Sequence, residues 1–128
     1  MRQLLVSFAA IFLLGLNSSH ATQTIKIGAL LETSGSLASL GQPGLEGAQQ
    51  AIEEINKSGG INGKQLELVN INTESDNTQT VSAAKRLIGQ DDIVALVGPM
   101  NTGSSFAIID IVQRAGITLV SNGGSRGM

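Results

Sequence analysis

Short apolar runs and amphipathic stretches alternate along most of this chain. The runs "TIKIGALL" (24–31), "QLELVNI" (65–71), "DDIVALV" (91–97) and "ITLVS" (117–121) are short and rich in branched apolar residues, which predicts four mostly buried strands. Between them the apolar positions shift to helical spacing. Leu45, Ala48, Ile52 and Ile55 share one face of a first helix, and Val81, Ala84, Leu87 and Ile88 one face of a second. A third helix starts at Thr102 or a near neighbour and ends at Ala115–Gly116.

The polar punctuation fits this reading. Gly59–Gly60 ends the first helix, "INGK" makes a turn, and Asp76 or Asn77 caps the second helix. The Ser- and Gly-rich segment from Glu32 to Gln42 is predicted to be a loop, with Pro43 in the first helical turn, where a missing amide is tolerated. Glu46, Glu53 and Glu54 fall on a solvated helix face, and Asp91–Asp92 in a surface loop. Strand and helix alternating in this way predict an α/β fold, a doubly wound parallel sheet with right-handed crossovers. In the usual strand order of such sheets the second strand lies on one side of the first and the third on the other. The loops after strands one and three then face each other at the switch point, where ligands bind.

The first 21 residues do not belong to this pattern. One Arg, an apolar run from Leu4 to Leu16 and the small residues Ser19 and Ala21 read as a secretory signal peptide cut after Ala21. The run is well short of the roughly 20 residues a membrane span needs, so no membrane anchor is expected. The expected location is the periplasm. Cysteine is absent, which leaves stability to packing and excludes lipid attachment through an N-terminal cysteine.

Charge and aromatic content remove one function class. The chain has eight basic residues, of which Arg2 leaves with the leader, against ten acidic ones. Phe106 is the one aromatic residue beyond the leader. With neither a basic stripe nor a stacking platform, nucleic-acid binding is not expected. Residues 22–128 are enough for one small α/β lobe. "SNGGSRGM" directly follows a strand-like run, so the lobe is expected to be incomplete.

The chemistry concentrates in "VALVGPMNTGSS", where a strand runs into Gly98–Pro99 and then into small and hydroxyl-bearing residues that open a helix. A phosphate loop would require a Lys followed by Ser or Thr, and none is present. A serine hydrolase would use Ser104 or Ser105, but the flanking glycines of a nucleophile turn are missing, and the one His, His20, lies in the leader. A small carboxylate needs less: the free amides of a helix start and a hydroxyl from Thr102 suffice, without a cation or any cofactor or metal. Thr102 as a simple helix cap remains the alternative.

Taken in order, "IKIGALLETSGSLASLGQPGLEGAQQAIEEINKSGGINGKQLELV", "VALVGPMNTGSS" and "GITLVSNGGS" resemble the N-terminal lobe of the type I periplasmic binding proteins, in particular the branched-chain amino acid binding group of ABC importers. The likeness extends from Ile25 to Ser125. It implies a two-lobed receptor, not an enzyme, that closes on a small amino acid and presents it to a membrane permease. It further implies that Thr102 offers a hydroxyl and amide to the ligand carboxylate, Gly123 a carbonyl to the ammonium, and Ser125 an amide and hydroxyl to either group. Ser39 and Leu40 would form part of the wall. Leu40 stands where the branched-chain binders have an aromatic residue, which keeps amides, urea or aromatic acids open as ligands on the same scaffold.

Overall fold

The structure is a computed structural model and describes residues 24–124. The segment read as a signal peptide, residues 1–21, and Ser125 lie outside the described residues. Seven elements follow in strict alternation: β1 (Ile25–Ala29), α1 (Ala38–Lys57), β2 (Leu66–Asn70), α2 (Asn77–Gln90), β3 (Ala95–Val97), α3 (Thr102–Ala115) and β4 (Thr118–Val120). The strands form one parallel sheet in the order β2-β1-β3-β4. β1 is therefore central, flanked by β2 on one side and β3 on the other, the order expected of a doubly wound sheet.

Alternation along each strand divides the apolar residues between two faces. Leu30 and Leu96 turn toward α2 and α3, where they join Ala83, Ala84, Leu87, Ile93, Ile108 and Val112 in the main core. Val69, Ile71 and Leu119 pack against its margin. On the other face Ile27, Leu66, Leu68 and Val97 meet Ala48, Ala51, Ile52 and Ile55 of α1 across a hollow of about 350 Å³. Ile55, expected on a buried face, remains 38% exposed. Glu46, Glu53 and Glu54 are exposed as expected.

Two expectations need correction. The loop after β1 does not run to Gln42: α1 begins at Ala38, so Ser39, Leu40 and Gln42 are helical and Pro43 lies inside the helix. What starts the helix early is contact with distant chain. The Leu37 amide donates to Ser75 Oγ at 3.1 Å, and the buried Gly41 lies so close to the segment after β1 that a Cβ there would be 2.0 Å from the Glu32 carbonyl oxygen. Pro43 costs the helix the hydrogen bond its amide would make to the Ser39 carbonyl, and these contacts offset the loss. The third strand is also shorter than 91–97. Asp91 ends α2, and regular pairing starts at Ala95 after a single approach, Val94 amide to Lys26 carbonyl at 3.0 Å.

Backbone pairing continues past the strands at their C-terminal ends. The Leu30 amide reaches the Val97 carbonyl at 2.9 Å, Gly98 reaches Val120 at 2.9 Å, and Ile71 reaches Ala29 at 3.0 Å. Gly98 has φ +83°, and a Cβ on it would be 2.5 Å from the Leu30 carbonyl oxygen, so only glycine lets β3 turn away here. The loops after β1, β3 and β4 thus leave the sheet side by side.

Candidate functional site

The three loops are joined by side chains. Glu32, directly after β1, is completely buried and receives the Met100 amide at 3.3 and 3.2 Å on its two oxygens and Asn101 Nδ2 at 3.0 Å. The loop after β4 is held by Ser121, whose Oγ donates to the Pro99 carbonyl at 3.0 Å, lies 2.6 Å from Ser105 Oγ and accepts the Gly123 amide at 3.1 Å. The Met100 side chain lies against α1, where a Cβ on Gly44 would be 3.4 Å from its Cε. Loops one, three and four therefore converge, as the sheet order requires.

Asn101 caps α3. Its backbone is extended, its Oδ1 accepts the Ser104 amide at 2.7 Å, and its carbonyl accepts the Ser105 amide at 3.1 Å. The capping alternative for Thr102 is thereby corrected: Thr102 is the first residue of α3, half-buried, and the cap bond is made by Asn101 rather than by its hydroxyl. Asn was the better candidate by chemistry, since a residue in extended geometry just before the helix can return its side chain to the third amide, which a residue already in the helix cannot.

Ser104 and Ser105 are both buried and committed. Ser104 Oγ donates to Asn77 Oδ1 at 2.7 Å and accepts from Asn101 Nδ2 at 2.9 Å and Thr80 Oγ1 at 3.3 Å, which ties the start of α3 to the start of α2. Ser105 Oγ donates to the Asn101 carbonyl at 2.8 Å. Neither hydroxyl faces a base or an open surface, so the turn that resembled a nucleophile position is a structural knot.

The remaining expected residues fall as follows. Ser39 and Leu40 lie in the first turn of α1 at the same end of the sheet, both exposed, Leu40 to 52%. Gly123 is half-buried, and its amide donates to Ser121 Oγ. Ser125 lies outside the described residues. Glu32 was missed, because nothing in its sequence neighbourhood signals that its partners lie 68 and 69 residues away. Among the described residues no group of His, Cys, Asp or Glu is arranged to hold a metal, and no helix is long and apolar enough to cross a membrane. Among the described residues the rim thus offers dipoles rather than cations: a helix start, a hydroxyl and a backbone carbonyl, groups that can meet the two ends of a small zwitterion.

A family model described as "Periplasmic binding protein" matches residues 24–128. An "Amino acid binding protein" of Pseudomonas aeruginosa is 34% identical over 122 residues, which are 95% of this chain and 32% of that protein. A "Leucine-, isoleucine-, valine-, threonine-, and alanine-binding protein" of the same organism is 36% identical over 115 residues, 89% of this chain and 31% of that one. Among solved structures, the branched-chain amino acid transporter substrate binding protein of Streptococcus pneumoniae in complex with isoleucine superposes with a TM-score of 0.79 at 40% identity, over 82% of this chain and 30% of that one. A leucine binding protein from Thermotoga maritima gives a TM-score of 0.71 at 26% identity, over 80% and 28%. The chain spans about a third of the length of these relatives.

Proposed function

The chain belongs to the periplasmic binding protein family, and on that premise we propose that it is the first lobe of an exported receptor that captures a small amino acid, branched-chain or related, for an ABC importer. Residues 22–128 form most of that lobe, and residues 1–21 direct export to the periplasm. A second lobe closes over the rim, the ligand bridges the cleft, and the closed form docks on the membrane permease.

The observation that carries this reading is the start of α3. Asn101 meets the cap requirement, and Ser104 and Ser105 are spent on internal bonds, so the Thr102 hydroxyl and the first amides of the helix are available to a carboxylate. The Gly123 carbonyl accepts from the ammonium, Ser125 bonds either group, and Ser39 and Leu40 line the side-chain end. The relatives' names support an amino acid: one binds leucine, isoleucine, valine, threonine and alanine, and the pneumococcal protein holds isoleucine.

The test is a thermal-shift screen of the two-lobed receptor against amino acids and small amides, followed by titration calorimetry of the hits. Branched-chain amino acids are expected to raise the melting temperature most. A response confined to amides, urea or aromatic acids would replace the ligand class while keeping the receptor, and no response to any of these would overturn the assignment.

A further inference from the structure

The rim holds a charge that the carboxylate site does not use. Glu32 is wholly buried and bonded to Met100 and Asn101, the two residues that precede Thr102 in the chain. By taking the Met100 amide it removes one donor from the anion-binding set. The Asn101 side chain removes the Ser104 amide, and the Ser105 amide returns to the Asn101 carbonyl. What remains at the helix start is the amides of Thr102 and Gly103, which have no acceptor within the helix, and the Thr102 hydroxyl. That set matches a single carboxylate.

Among the described residues the positive side chains make no bond to Glu32 or to the start of α3. Lys26 lies near the start of β1, Lys64 just before β2, Lys57 and Arg114 in the last turns of α1 and α3, and Lys85 and Arg86 in the second half of α2. In a parallel α/β lobe these positions fall away from the C-terminal ends of the strands, except that Arg86 lines a hollow with Ile71 and Asn72 just past the end of β2 and lies 3.8 Å from Asp91. Among the described residues, then, a buried carboxylate lies against the segment that opens α3, and no cation is bonded to it. Charges at buried positions act through a low dielectric and are little screened by salt.

We propose that Glu32 sets the charge selectivity of this site: it accepts an amino acid, whose ammonium offsets it, and disfavours the same molecule lacking the ammonium. The inference rests on the reading of the α3 start as a carboxylate site. It favours a zwitterion over the aromatic acids that the sequence left open.

The experiment compares L-leucine with its 2-hydroxy acid by titration calorimetry in the two-lobed receptor and in its Glu32→Gln variant. Gln keeps an oxygen for the Met100 amide and discards the charge. The parent is expected to prefer leucine strongly, and the variant to narrow the ratio of the two affinities by about tenfold or more. A loosened loop would weaken both ligands alike, so the ratio isolates the charge. A parent that binds leucine, with an unchanged ratio in the variant, overturns this inference and leaves the proposed function standing. A parent that binds neither compound overturns both. Should Glu32→Gln not fold, the parent carries the test: binding of the hydroxy acid within about tenfold of leucine refutes the proposal, and its exclusion supports it.

Discussion

Beneath α2 and α3 the side chains of Ala84, Leu87, Leu96 and Ile108 lose all contact with solvent, whereas on the α1 side of the same sheet Ile55 and Ile61 stay partly exposed and Val120 is 56% exposed. Both faces are built from the same branched apolar residues. They differ in cover: two helices that pack on each other over one face, and a single helix above β1 and β2 on the other, with a hollow beneath it and β4 at the sheet edge. The covered side also carries the polar knot of Asn77, Thr80, Asn101 and Ser104 at its upper end. Stability and the fixed geometry of the α3 start therefore come largely from one side of the sheet, while the other side leaves apolar surface exposed.

The largest effect tests that division directly. Leu87→Ala should cost about 2–5 kcal/mol by opening a cavity in a packed core, while Ile55→Ala, already partly exposed, should cost less than about 1 kcal/mol. Urea unfolding of the two variants gives the comparison, and equal losses would abolish the asymmetry.

Next in size is Thr102→Ala in the two-lobed receptor. Loss of a hydroxyl bonded to a charged carboxylate should weaken ligand binding by roughly 1.5–3 kcal/mol, or about tenfold to a hundredfold. The melting temperature without ligand should hold, because Asn101 is the cap. A variant that melts early yet binds its amino acid as well as the parent would make the hydroxyl structural.

Asn101→Ala reverses this signature. Removal of the cap should lower stability by about 1 kcal/mol, with a further loss because Glu32 keeps only the Met100 amide as donor. Thermal melts without ligand, set beside those of Thr102→Ala, separate the two neighbours.

The smallest change in folding energy is expected at the open edge. Residues 22–128 expressed alone should self-associate through β4 and should bind ligand poorly with half the cleft. Val120→Lys should reduce that association, as charges on edge strands do, while shifting stability by no more than about 0.5 kcal/mol. Sedimentation velocity measures the first and urea titration the second; a monomeric parent would remove β4 from consideration.

What the sequence disclosed and what it hid follow the range of the interactions. The strands and the cores of the helices were legible because Leu87, Leu96 and Ile108 repeat at local periods set by the backbone. The N-terminus of α1 was not, since Pro43 gave a strong local signal for a start, and the features that override it, Ser75 under Leu37 and Gly41 against Glu32, come from other parts of the chain. At the α3 start the sequence pointed to Thr102 as the cap and not to Asn101, because one residue of phase decides which side chain can reach back to the third amide. Glu32 looked like any loop acid; its donors are brought to it only by the pairing of β1 with β3.

The close contact of Gly41 with Glu32 also bears on how the proposed receptor can change its diet. At Gly41 any side chain would strike the Glu32 backbone, so its codon is closed to substitution. Its neighbour Leu40 projects into solvent from the same helical turn, and substitutions there carry little folding cost. If Leu40 lines the cleft as proposed, a lineage can retune the wall that meets the ligand's side chain by single mutations, one codon away from a position that anchors the turn and admits none.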